Sequence, residues 1–122
     1  MNSPEVNDRL LRLLYLLMRR TERGTLTWLK GANERYETSA DTTSYAVATH
    51  DGDGQPPFTL AGYNSRGEEV LFVKTDDVNV DSSTEERIAN LFRFVRDRVD
   101  NKDLLAFLDQ ALDDVDDEKP PF

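Results

Sequence analysis

The single histidine of the sequence, His50, precedes Asp51, Gly52, Asp53 and Gly54. It is the one place where an imidazole meets carboxylates and glycines, a set that could ligate a metal or cradle a phosphate. Read as a calcium loop opening at Asp51, the sixth position needs glycine and the twelfth a bidentate carboxylate. Pro56 and Gly62 stand there instead. Read as a phosphate loop, the stretch has no third glycine, no following Lys-Ser/Thr pair and no helix after it. No serine occupies a Gly-x-Ser-x-Gly elbow, and one histidine would have to serve any triad. Without cysteine there is no thiolate nucleophile, disulfide or cysteine-ligated zinc. Adjacent carboxylates occur at Glu68-Glu69, Asp76-Asp77, Asp113-Asp114 and Asp116-Asp117. They lie in polar turns or the tail, whereas acid–base work needs one of a pair desolvated and shifted in pKa. The sequence therefore predicts no catalytic residue, no metal site and no cofactor: not an enzyme.

A net charge of −9 also argues against direct nucleic-acid binding, which runs on clustered Lys and Arg. Arg87, Arg93, Arg96 and Arg98 are grouped, but Arg93 with Asp97 and Arg96 with Asp100 have the spacing of neutralising helix pairs. The preference for Asp over Glu and Arg over Lys fits a salt-adapted organism or a high-GC genome. Apolar runs are interrupted by Arg12 and fall far short of the roughly 20 residues a membrane span needs. Acidic Glu5 and Asp8 stand where an export signal would be basic, so a cytoplasmic protein is expected.

The most apolar stretch is Arg9 to Arg20. On a helical wheel, Val6, Leu10, Leu13, Leu14 and Leu17 fall within roughly 100°, a core-facing stripe. Leu11, Met18 and Tyr15 widen that arc to about 200°, more than one core contact requires. Ser3-Pro4 is a start signal, and Gly24 follows Arg19 and Arg20 as a terminator. Trp28, the lone tryptophan, reads as a plug of the core beneath the loop that follows.

The middle of the chain has strand period. Strands are expected at 35–40, 44–50, 58–63 and 69–74, with a short strand or ordered connection at 25–31. A mobile loop spans 51–57, and Asn64-Ser65-Arg66-Gly67 forms a hairpin turn. Short connections imply antiparallel neighbours and a three- to four-stranded meander. Val70, Leu71, Phe72 and Val73 are apolar on both faces, so that strand is either covered or paired with another chain. A helix opens at 81–86, where Ser82 with Glu85, or Ser83 with Glu86, has capping-box spacing. Its stripe is Ile88, Leu91, Phe92, Val95 and Val99, with Phe94 off the stripe between Arg87 and Arg98. Asn101 breaks it. A last helix, from about 103 to 115, has Leu104, Leu105, Leu108, Ala111, Leu112 and Val115 as its inner face and Phe107 on the flank.

The fold class is α+β: one N-terminal helix, an antiparallel meander, then two C-terminal helices packed on one sheet face. A single domain spans 1–115, followed by an acidic, proline-containing tail at 116–122. The functional expectation is a non-enzymatic protein–protein interaction module, an adaptor, regulator or inhibitor, working as a homodimer. Leu11, Tyr15, Met18, Phe94 and Phe107 are the candidate partner-binding residues. An alternative is an acidic decoy that occupies the basic groove of a nucleic-acid-binding protein. In size, charge and helix–strands–helix order the chain also resembles the small acidic α+β dimers of the type III secretion chaperone kind. That resemblance is architectural and covers no motif; those proteins usually place a helix between strands, which this chain lacks. It implies a non-catalytic dimer that binds an exported protein.

Overall fold

Helix α1 (Pro4–Glu22) starts and stops where its sequence signals lie, in a computed structural model that describes residues 3–116. The Ser3 hydroxyl accepts the Val6 N–H at 3.4 Å, with Pro4 opening the helix. At the other end Gly24 takes φ +75°. There the Thr25 N–H reaches the Arg20 carbonyl at 2.9 Å and the Gly24 N–H the Thr21 carbonyl at 3.1 Å. This is the paired ending that a residue with positive φ permits.

Five strands follow: β1 (Leu29–Lys30), β2 (Arg35–Ser39), β3 (Ser44–Thr49), β4 (Phe58–Tyr63) and β5 (Glu69–Lys74). They form one antiparallel sheet in the order β1-β2-β3-β4-β5. The count exceeds the expected three to four because the 25–31 stretch, read as a short strand or an ordered connection, contributes the two-residue strand β1. It is recruited by pairing Leu29 with Glu37 and Lys30 with Tyr36.

Register separates the two faces. Tyr36, Val47, Leu60 and Val73 lie opposite one another across β2 to β5, and all are buried. The neighbouring line, Leu29, Glu37, Ala46, Ala61 and Phe72, points the other way. Helix α2 (Ser82–Asp100) lies on the first face through Ile88, Leu91, Phe92 and Val95, each 0% exposed. The Phe92 ring takes Tyr36 edge-on at 5.8 Å and Phe58 at 5.1 Å. Beside α2, α1 contributes Leu10, Leu14 and Leu17 to the same core. Trp28 is buried as expected: its Nε1–H donates to Thr21 Oγ1 at 2.9 Å, and that hydroxyl donates to the Leu17 carbonyl at 2.7 Å.

Two local expectations are corrected and a third is narrowed. The cap of α2 is Asp81, whose carboxylate accepts the Thr84 N–H at 2.8 Å, rather than Ser82 or Ser83. Strand β5 is not covered on both sides within the chain, which leaves the pairing alternative: Val73 is buried, whereas Val70 and Phe72 are exposed on the outer sheet face. Helix α3 (Lys102–Val115) has no inner face, since none of its residues is buried. The reason is its joint. Only Asn101 separates it from α2, and an antiparallel helix return takes 2–5 loop residues. Asn101, at φ −108° and ψ 17°, redirects the chain without reversing it. Of the tail at 116–122, only Asp116 belongs to the described residues.

Candidate functional site

His50 sits exposed just past β3, its backbone N–H on the Pro57 carbonyl at 2.9 Å. Gly52 and Gly54 adopt positive φ as they carry the chain round to β4. Among the described residues no three His, Asp or Glu side chains converge in a way that could hold a metal ion. The broad depression of about 720 Å³ beside β2 contains one guanidinium, that of Arg35. Its Nε donates to Glu37 at 2.9 Å and its Nη2 to the Tyr63 hydroxyl at 2.8 Å, and the Glu37 bond holds its pKa above the ordinary value. That cation is already satisfied by its neighbours.

Apolar surface is what the molecule displays. Helices α1 and α2 run side by side with their C-terminal ends together, where the Arg98 guanidinium reaches the Glu22 carbonyl at 3.5 Å. One flank of α2, with Ala89 and Arg93, lines a hollow with Pro56, Phe58 and Thr75 of the sheet. The opposite flank, with Arg87, Phe94 and Arg98, is therefore the one beside α1. Two parallel helices lying on one sheet meet through opposite flanks, which turns the Leu11, Tyr15 and Met18 side of α1 toward α2. Met18 is partly buried and packs on the core; Leu11 and Phe94 are half-buried; Tyr15 is 51% exposed. Arg19 lies over the Tyr15 ring at 5.9 Å and Arg98 over Phe94 at 5.0 Å. Helix geometry thus turns four of the five candidate residues toward the groove between α1 and α2.

Phe107, the fifth, lies elsewhere, on α3. There it joins Leu104, Leu105, Leu108, Leu112 and Val115, which are 43–72% exposed. On the wheel these six occupy one arc of roughly 160°, and Asp103, Asp109 and Asp114 border it. These leucines and the valine are the residues that sequence reasoning assigned to the interior. The signal that identifies them as surface is the one-residue joint at Asn101.

The origin of α3 is fixed by a polar cluster. Asp100, the last residue of α2, accepts from Lys30 Nζ at 3.2 Å and from the Tyr36 hydroxyl at 3.1 Å. Tyr36 also donates to Glu34 at 3.3 Å. Burial, then the Asp100 carboxylate, pushes the Tyr36 phenol above its ordinary pKa. The end of α2 is thereby tied to β1 and β2, and α3 departs from an anchored point.

Compared with protein-family models, with curated proteins and with solved structures, the chain finds no match. No helix among the described residues is long and apolar enough to cross a membrane.

Proposed function

We propose that the protein is a non-enzymatic protein–protein interaction module, an adaptor, regulator or inhibitor, and that it works as a homodimer. The observation that supports this most strongly is α3: fourteen residues, none buried, with an apolar face of six large side chains. Monomeric proteins rarely leave so contiguous an apolar face in water. A helix of this length is marginal alone, so it needs a packing partner to hold its shape. The α1–α2 groove, with Tyr15 and Phe94, is a second surface of mixed apolar and cationic character.

Light scattering during gel filtration of the full chain tests the homodimer. The expected mass is twice the 13.9 kDa of one chain. A single-chain mass at every concentration overturns it.

A further inference from the structure

We propose that α3 of one copy docks in the α1–α2 groove of a second copy, and that the exchange is reciprocal about a two-fold axis. This rests on the reading of the protein as a self-associating module and names the two surfaces that meet.

Three observations select this pairing. The first is the joint. With only Asn101 between α2 and α3, the helix has no return path onto its own groove. An identical groove on a second copy has no such restriction, and isologous contacts close on themselves.

The second is charge. Helix α3 carries Asp103, Asp109, Asp113 and Asp114 against a single cation, Lys102. Two α3 helices packed on each other would set aspartates against aspartates. The α1–α2 side is more cationic: besides Asp8 and Glu22 it carries Arg12, Arg19, Arg87 and Arg98, which, like Arg20 and Arg93 on the outer flanks, form no ion pair with a carboxylate of the described residues. The outer sheet face is another uncovered apolar surface, with Val70 and Phe72 exposed. Its cations are engaged locally, Arg35 with Glu37 at 2.9 Å and Lys74 with Asp76 at 3.6 Å. The groove sets half-buried Leu11 and Phe94 beside Arg19 and Arg98, positive charge that can receive Asp103, Asp109 and Asp114.

The third is area. Each of the six apolar side chains of α3 offers on the order of 100 Å². Two such helices and the surfaces they cover give an interface of about 2,000 Å² in total, the size of a stable dimer.

The test is sedimentation velocity on the full chain and two double variants, alone and mixed. The donor variant Leu108→Asp/Leu112→Asp spoils the docking helix, in which no residue is buried. The acceptor variant Arg12→Glu/Tyr15→Glu spoils the groove at two exposed positions. Trp28 fluorescence and circular dichroism verify that both keep the fold. The wild type is expected to dimerise, and each variant alone to weaken at least tenfold. Mixed in equal amounts, they should form a heterodimer tighter than either self-pair, because one intact helix meets one intact groove. An acceptor variant as dimeric as the wild type overturns the inference and leaves self-association standing, through α3–α3 contact or the sheet face. Failure of the mixture to associate likewise refutes it. A wild type that stays monomeric removes both this inference and the homodimer.

Discussion

Leu14 and Leu112 are the same residue on two helices of one chain, and replacing each with alanine should have opposite consequences. Leu14 is 2% exposed and belongs to the core formed by α1, α2 and Trp28. Truncating it removes transfer energy and leaves a cavity, a loss of about 2–5 kcal/mol. Leu112 is 66% exposed, so about a third of its surface is covered in the single chain. That fraction of a full burial energy of 2–3 kcal/mol is roughly 1 kcal/mol at most, partly offset by the higher helix propensity of alanine. The expected change is within about 0.5 kcal/mol.

The assay is urea unfolding in dilute solution, below the concentration of self-association, followed by Trp28 fluorescence. Trp28 is buried and bonded to Thr21, so its emission reports on the body of the fold. Far-ultraviolet circular dichroism also senses α3. Because a lone 14-residue helix is marginal, part of the helical signal should fade in low urea, before the Trp28 midpoint. Leu14→Ala should move that midpoint strongly and Leu112→Ala hardly at all. A Leu112→Ala shift as large as that of Leu14→Ala, with both probes coincident, would refute the placement of α3 off the body.

Two further outcomes test the interior. Thr21→Val keeps the shape of the side chain but leaves the Trp28 indole N–H without its acceptor, so about 1–3 kcal/mol should be lost, read as a lower urea midpoint. Burial and the Asp100 hydrogen bond raise the Tyr36 phenol, so its contribution to stability is present below the ordinary phenol pKa and is lost as pH rises through the raised value. Spectrophotometric alkaline titration should show one phenol ionising after the others, together with unfolding. That step should be absent in Tyr36→Phe, and a wild type without a late phenol would count against the Tyr36–Asp100 contact.

Elements with long apolar periodicity were legible in the sequence. The stripes of α1 and α2, the four longer strands, the Ser3-Pro4 start and the Gly24 stop all follow from local chemistry, and the structure has them. Strand β1 was legible only as one of two options for 25–31, because two residues become strand only through the partner that Tyr36 and Glu37 supply. Leu104 to Val115 failed for a different reason. A stripe of leucines states that a helix has an apolar side, but not which body covers it. That depends on whether the joint lets the helix turn back, and Asn101 does not. The groove lies between these cases. The wide arc of α1 and the off-stripe Phe94 were visible as excess apolar surface, while their approach to each other depends on how α1 lies against α2.

Charge placement, not total charge, should decide association. Two copies carrying −9 each repel at a distance, and that repulsion is what moderate salt screens first, over a Debye length of about 10 Å at 0.1 M. Contacts between docked side chains are closer and partly desolvated, so they are screened less. Ionic strength therefore acts on two opposing terms, whereas position-matched substitutions separate them. Arg12→Glu and Arg66→Glu each change the charge by two, from −9 to −11, and both residues are exposed. Arg12 is exposed on α1, one helical turn before Tyr15; Arg66 is in the β4–β5 turn. The added long-range repulsion is the same for both. If α3 seats its aspartates beside Arg12, the first variant should weaken the dimer at least severalfold more than the second, in sedimentation at a single moderate salt concentration. Equal weakening would show that the groove arginines receive no carboxylate, and that only overall repulsion had been measured.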